Sequence, residues 1–176
     1  EAITKIFLNQ LNKYQGYNST YISLAKLERQ LDKAGKFSEF KKAIKTKLKE
    51  DWDKKSADLA EAVLSDVLEI AKSFIAIDEN SFRASIERAL SGKEELSVVD
   101  LVQHIEEFLV NKPASHRMVF LVDEVSQYIG TNLNLLLNLQ SIIEEVSSRC
   151  KGKVWIICTA QQEIKEVIES TGQSHT

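Results

Sequence analysis

The 176-residue sequence contains one proline and six glycines, so few stretches can form long irregular linkers. It contains no apolar run of about 18 residues, the length that a membrane-spanning helix requires. Its first residues lack the apolar segment of a secretory signal peptide. The net charge of −3 argues against a protein that coats nucleic acid with its whole surface, although a local basic face remains compatible with it. These absences are typical of a folded protein of the cytoplasm without a membrane partner.

Cysteine is scarce and occurs only at Cys150 and Cys158. Without a signal peptide or dense cysteine spacing, we interpret both residues as reduced thiols, and a disulfide between them is the alternative. The histidines at positions 104, 116 and 175 do not form metal-ligand spacings with each other or with the cysteines. The sequence therefore argues against a zinc hydrolase.

Helical periodicity dominates the first two thirds of the chain. Apolar residues recur at spacings of three and four in six successive segments. Ser56 and Ser97 are candidate N-caps, and Pro113 ends the last segment. We therefore predict a large helical subdomain over residues 1–112. Its six predicted helical segments are 4–14, 20–35, 36–55, 56–77, 78–92 and 97–113.

After Pro113 the pattern changes to strand, helix, strand. The stretch "RMVFLVD" contains the apolar run 118–122, which predicts a strand buried on both faces of a parallel sheet. A helical segment, 132–150, leads to a second apolar run at 153–160. This crossover is long enough for parallel pairing and should be right-handed. The remaining residues are a predicted short helix, 161–170, and a polar tail, 171–176.

Two adjacent carboxylates, Asp123 and Glu124, directly follow the first predicted strand. Ligands of open parallel sheets bind beyond the carboxyl ends of the strands. An apolar strand followed by Asp-Glu is the pattern of the Walker B motif of ATP-hydrolysing P-loop proteins. In this pattern Asp123 holds a hydrated Mg²⁺, and Glu124 orients a water for attack on the γ-phosphate. The alternative is that the two acids only end a strand and cap the next turn.

Polar side chains also follow the second predicted strand, at Thr159, Gln161 and Gln162. In ATPases with an additional strand, a sensor side chain lies at this edge, between the acid and the phosphate. Counting from the start of the strand favours Gln161 as the sensor, with Thr159 second. The two motifs and their crossover predict a partial AAA+-like P-loop core over residues 113–170.

The phosphate-binding loop of such proteins, Gly-x-x-x-x-Gly-Lys-Ser/Thr, is absent from the sequence. No two glycines lie five residues apart, and Gly92-Lys93 is followed by Glu94. The only methionine is Met118, so we expect the chain to be processed or to be part of a larger protein. An acidic motif without the phosphate-binding loop favours the expectation that the chain is part of a larger protein. We therefore expect no tight ATP binding by the chain alone.

The stretch from "HRMVFLVDEVSQYIG" through "NLQSIIEEVSSRC" to "CTAQQEI", residues 116–164, resembles the large P-loop protein of bacterial BREX phage-defence systems, the BrxC/PglY family. The segment 16–43 is similar to the helical insert of that family. The resemblance implies an internal fragment of an AAA+-like ATPase whose phosphate loop lies before residue 1. It also implies ATP and Mg²⁺ as cofactors of the intact protein, other defence proteins as partners, and DNA as a further candidate partner.

By the same resemblance, Asp123 is the magnesium-side acid, Glu124 the water-orienting acid and Gln161 the sensor. The sequence thus predicts a mostly helical α/β fold, with a helical insert before the partial P-loop core. The alternative function is a non-catalytic helical module that binds protein or DNA on a degenerate core. The lysine-rich segment 36–55 would then contact phosphates, whereas its simpler interpretation is a solvated helix face. Because two strands leave open edges, we also expect them to be covered by the chain's own helices or by self-association.

Overall fold

The computed structural model describes residues 2–58 and 61–160. This part of the chain is mostly helical, with one two-stranded parallel sheet, so the predicted helical architecture with parallel strands is confirmed. A short 3-10 turn, Ser56–Asp58, separates the fourth and fifth helices. The elements are α1 (Ala2–Gln15), α2 (Ile22–Lys33), α3 (Phe37–Leu48), α4 (Trp52–Lys55), α5 (Glu61–Lys72), α6 (Glu79–Leu90), α7 (Val98–Val110), β1 (Met118–Val122), α8 (Val125–Ile129), α9 (Leu133–Arg149) and β2 (Val154–Cys158).

The chain divides into two compact units. The helical unit is Asn9–Glu94, and the sheet unit contains the residues up to Leu8 and those from Glu95 onward. Helix α7 therefore belongs to the same unit as the two strands. The domain limits expected from the sequence, 1–112, 113–170 and 171–176, stay predictions.

The core of the helical unit is built from apolar residues that the helical spacing places on one face of each helix. Helix α3 ends at Leu48 because Lys49 adopts a left-handed backbone with φ of 59°. The predicted single helix over 36–55 is therefore wrong, and Trp52 instead begins α4. The fully buried large side chains of this core include Leu24, Leu27, Leu31, Phe40, Ile44, Trp52, Leu68 and Ile86.

The expected N-cap at Ser56 is also wrong. Ser56 follows α4 and begins the 3-10 turn, and its carbonyl oxygen accepts a hydrogen bond of 3.0 Å from Nδ2 of Asn18. Ser97 behaves as predicted, because its hydroxyl oxygen accepts a hydrogen bond of 3.1 Å from the backbone N–H of Asp100. The Asp100 carboxylate accepts a bond in return from the backbone N–H of Ser97, which completes a capping box at the start of α7.

The sheet unit contains the predicted strand–helix–strand arrangement. Strand β1 pairs with β2 in parallel, from Met118 opposite Val154 to Val122 opposite Cys158. Helix α9 forms the crossover, and the side chain of Asn132 caps its first turn. On one face of the sheet, Phe120 contacts Phe7 of α1 with 4.9 Å between the ring centroids. This face is packed against helices of the unit.

The other face of the sheet is exposed among the described residues, and we call it the open face. It consists of Val119, Leu121, Trp155 and Ile157, whose exposed fractions are 50%, 77%, 58% and 50%. The prediction that the first strand is buried on both faces is therefore wrong here. An apolar run predicts that both faces can be buried, but burial also needs a second packing partner. The predicted helix over 161–170 lies outside the described residues.

Among the described residues, every helix is too short or too polar to span a lipid bilayer. The longest is α9, with 17 residues, and it alternates apolar side chains with asparagine, glutamine and glutamate.

Candidate functional site

The backbone at the carboxyl ends of β1 and β2 brings the predicted acids close to Thr159. The strand ladder continues past the last strand residues, since the N–H of Thr159 donates to the carbonyl of Val122 over 2.9 Å. The N–H of Val125 donates to the carbonyl of Thr159 over 3.0 Å. These two bonds flank Asp123 and Glu124 and fix the turn that carries them against the end of β2.

The hydroxyl group of Thr159 connects both acidic residues. It donates a hydrogen bond to Oδ1 of Asp123. It also accepts a hydrogen bond of 2.9 Å from the backbone N–H of Glu124. The side chain of Thr159 thereby orients the Asp123 carboxylate and holds the Glu124 backbone.

Glu124 adopts a left-handed backbone, with φ of 51° and ψ of 40°. This conformation turns the chain sharply from β1 into the short helix α8, which the sequence analysis missed. The carbonyl of Glu124 accepts a hydrogen bond of 3.0 Å from the N–H of Gln127 in the first turn of α8.

The three side chains at the sheet edge, Asp123, Glu124 and Thr159, are all exposed. A ligand could therefore reach them from solvent. The predicted sensor Gln161 lies outside the described residues, so its role stays a prediction. Thr159, the second choice from the sequence, is the residue that the structure places in direct contact with Asp123.

The donor set at this edge suits a hydrated Mg²⁺ better than a closed metal cage. In the described part of the chain, no three His, Cys, Asp or Glu side chains are grouped so that they could hold a metal ion. Mg²⁺ retains several waters and commonly takes one or two carboxylates together with substrate phosphates. Asp123 can serve as such a single carboxylate, whereas the sequence contains no glycine-rich loop for the phosphates.

The lysine-rich segment 36–55 forms ion pairs with acids of the helical unit. Lys47 contacts both Asp66 and Glu69, at 3.0 and 2.5 Å, and these partners raise the pKa of its ammonium group. Paired lysines offer less net positive charge to a nucleic-acid backbone, which favours the interpretation as a solvated helix face. The other pairs are Lys36–Glu39, Lys41–Asp53, Lys45–Asp51 and Lys55–Glu50.

A buried carboxylate in the helical unit was not identified from the sequence. Glu28 is 2% exposed, and its carboxylate accepts a hydrogen bond of 2.6 Å from the indole Nε1 of Trp52 and another from the backbone N–H of Asn18. Burial raises the pKa of Glu28, and the two hydrogen bonds oppose that rise. The helical spacing of the sequence could have indicated this burial. Glu28 lies four residues after Leu24 and three before Leu31, on the buried side of α2.

Both cysteines have free thiols, as the sequence analysis predicted. Cys150 is buried at the end of α9, and Cys158 is half-buried at the end of β2. Burial raises the pKa of each thiol, which keeps it protonated near neutral pH. Neither residue contributes an ion-binding thiolate to the edge with Asp123.

Comparison with known proteins adds no identification. No family model matches the chain. No solved structure shows a significant match to it. The acidic strand end and its contacts with Thr159 are therefore the features that indicate a function, and the resemblance to BREX ATPases stays a prediction.

Proposed function

We propose that this chain supplies the acid-bearing half of a magnesium–ATP site in a larger P-loop ATPase. The observation that supports the proposal is the hydrogen bond between Thr159 and Asp123 at the carboxyl edge of two parallel strands. That edge is where open parallel sheets bind ligands. The resemblance of residues 116–164 extends the proposal to a cytoplasmic, AAA+-like ATPase that works with other proteins in bacterial phage defence.

The three residues have separate roles in this proposal. Asp123 would hold a hydrated Mg²⁺ through its bound waters, and the Thr159 hydroxyl holds the Asp123 carboxylate in place. Glu124 orients and polarises the water that attacks the γ-phosphate. Bound Mg²⁺ would supply the positive charge that neutralises the phosphate oxygens. Gln161, as the proposed sensor, would follow Thr159 at the same edge.

The phosphate-binding loop comes from outside these 176 residues in this proposal, because the sequence contains no Gly-x-x-x-x-Gly-Lys-Ser/Thr. The backbone N–H groups and the lysine of that loop provide most of the contacts to the phosphates in P-loop proteins. The chain alone should therefore neither bind ATP tightly nor hydrolyse it. Activity is expected only from the intact parent protein.

The decisive experiment uses the full-length protein and measures ATP turnover and ATP binding separately. Replacing a water-orienting carboxylate removes a group that typically contributes about 10²–10⁴-fold. We therefore expect Glu124→Gln to lower turnover by at least about a hundredfold while ATP binding is retained. Glu144→Gln, the same change on the exposed side of α9, is the matched control. Unchanged turnover in Glu124→Gln would contradict the catalytic assignment.

A further inference from the structure

The helical unit contains a cavity with a volume of about 400 Å³, a size that is typical of small-molecule sites. Its lining comes from the end of α1, the turn before α2, and helices α2, α3 and α4. Three lining residues are polar and almost completely buried: Asn18, Glu28 and Ser56, with exposed fractions of 8%, 2% and 4%. Buried polar groups at the wall of a cavity are the part of a site that selects a ligand.

The carboxylate of Glu28 has hydrogen-bonding capacity that its protein contacts do not use. An ionised carboxylate has about four acceptor positions on its two oxygens. In Glu28, Oε1 accepts from the indole Nε1 of Trp52, and Oε2 accepts from the backbone N–H of Asn18. Within the described residues about two acceptor positions therefore stay available. Both donors are uncharged, so neither of them balances the negative charge of Glu28.

The lysines of the lining do not balance this charge either. Nζ of Lys41 lies 2.7 Å from Oδ1 of Asp53, so these two residues form an ion pair of their own. Burial is the largest influence on the pKa of Glu28 and raises it, whereas the charges of Lys41 and Asp53 act on it in opposite directions. The second lysine of the lining, Lys13, is exposed. Since buried charges in proteins are normally paired, the cavity wall requires one further positive charge beside Glu28.

We propose that the cavity binds a small molecule through a primary ammonium group, which pairs with the carboxylate of Glu28. An ammonium group carries one positive charge and three N–H donors. It supplies the missing charge and also fills the acceptor positions of Glu28 with charge-assisted hydrogen bonds. Other lining residues carry further oxygen acceptors: Ser19, Thr20, Asp53 and Ser56. This proposal does not depend on the proposed ATPase function.

Two other classes of ligand fit the cavity less well. An anion would be repelled by the negative charge of Glu28. A divalent ion such as Mg²⁺ or Ca²⁺ takes about six or more oxygen ligands, usually with several carboxylates or waters. In the part of the chain that the structure describes, three acidic, histidine or cysteine side chains are nowhere grouped for such an ion. A singly charged ammonium group requires only the one buried carboxylate.

The indole N–H of Trp52 reports directly on the Glu28 carboxylate, because the two groups are hydrogen-bonded. The chain contains two tryptophans, and the second, Trp155 of the sheet unit, provides an internal reference. We would titrate the 176-residue chain with propylammonium chloride and follow both indole signals by proton–nitrogen NMR, with Trp155→Phe to assign them. We expect a saturable shift of the Trp52 signal that the Trp155 signal does not share.

Tetramethylammonium chloride is the matched control ion, because it carries the same charge but has no N–H donor. We expect no saturable shift of the Trp52 signal with this ion. Equal shifts with both ions would overturn the proposal, since they would show only a general effect of ionic strength. The absence of a saturable shift with propylammonium would overturn it as well, and would leave water as the occupant of the cavity.

Two variants test the role of Glu28. Glu28→Gln keeps the size of the side chain but removes its charge, and we expect propylammonium to bind at least about tenfold more weakly. Glu39→Gln, the same change at an exposed position of α3 outside the cavity, should bind as the wild type does. Far-UV circular dichroism verifies that both variants remain folded. Equal affinity of the wild type and folded Glu28→Gln would overturn the proposal, and if Glu28→Gln does not fold, the comparison of the two ions in the wild type decides it.

Discussion

The indole Nε1 of Trp52 donates a 2.6 Å hydrogen bond to the carboxylate of Glu28, which is almost completely buried. The same carboxylate accepts a bond from the backbone N–H of Asn18, so it joins α2, α4 and the turn before α2. In Glu28→Ala both donors would remain buried without this partner. We expect the free energy of unfolding to fall by about 2–4 kcal/mol, measured by urea titration at neutral pH. Glu87→Ala, at an exposed position of α6, is the control and should change it far less.

The stability of the helical unit should depend on pH through Glu28. Burial raises its pKa above the ordinary value of 4.5, so the folded state binds the proton more tightly than the unfolded chain. The stabilisation from this linkage is complete below pH 4.5 and is lost as the pH rises through the folded pKa. Glu28→Gln cannot titrate. We therefore expect the unfolding free energy of the wild type, relative to that of Glu28→Gln, to decrease as the pH rises from 4.5 through the folded pKa of Glu28.

Urea titrations of both proteins at several pH values would measure this difference directly. The comparison with the variant is needed because ion pairs and caps lower the pKa of Asp51, Asp78 and Glu79, whose contributions run in the opposite direction. These contributions cancel between the two proteins. A difference that stays constant or increases with pH would contradict the linkage.

The capping box at the start of α7 should stabilise the sheet unit. Ser97→Ala removes the hydroxyl that accepts the backbone N–H of Asp100, and we expect a loss of about 1 kcal/mol in thermal or urea unfolding. Ser97→Gly should cost less, because glycine itself is tolerated at an N-cap. Ser91→Ala, at the other end of a helix, is a suitable control since Ser91 caps the carboxyl end of α6. If Ser97→Ala and Ser91→Ala lower the free energy of unfolding equally, the N-cap hydrogen bond of Ser97 does not contribute the expected stabilisation.

The hydroxyl of Thr159 should protect the backbone amide of Glu124. In Thr159→Val that amide loses its acceptor, and we expect its hydrogen exchange to be roughly five- to tenfold faster, as for the loss of a bond of about 1 kcal/mol. Thr159→Ser keeps the hydroxyl and should retain most of the protection. The amide of Val125, which donates to the backbone carbonyl of Thr159, serves as an internal reference. If the Glu124 amide exchanges at the same rate in Thr159→Val and Thr159→Ser, the Thr159 hydroxyl does not stabilise this turn.

The paired lysines of segment 36–55 should not support strong DNA binding by the 176-residue chain. We expect no saturable change in the fluorescence anisotropy of labelled duplex DNA at physiological salt. Lys47→Ala, which breaks two ion pairs, should leave this result unchanged. Tight binding that weakens steeply with salt would instead support the alternative of a DNA-interaction module.

The sequence was sufficient to predict β1, β2 and α9, because long periodic or continuous apolar patterns depend on local spacing. It was not sufficient for the break after Leu48. Lys49 takes a left-handed conformation without the glycine or asparagine that usually indicates one, so the apolar spacing from Phe40 to Trp52 looked like one helix. The exposure of one face of the sheet could not be predicted from the apolar run either, because burial of a strand depends on which elements pack against the sheet.

The acids of the candidate site could be found from the strand that precedes them, but their contact with Thr159 could not. That contact depends on the register, in which Val122 lies opposite Cys158 and the next residues therefore face each other. A shift of one residue would direct the Thr159 hydroxyl to the other side of the sheet. The register of the two strands is determined by packing and by the crossover. The run of apolar residues in each strand is compatible with several registers.

At Glu124 the requirements of stability and of catalysis oppose each other. A non-glycine residue in the left-handed conformation lowers the stability of the folded state by about 1 kcal/mol, whereas glycine adopts this conformation without that cost. Glu124→Gly should therefore melt at a temperature no lower than the wild type, in spite of losing a long side chain. Selection for thermal resistance alone would remove the carboxylate from this position, so its retention would be the mark of a working site.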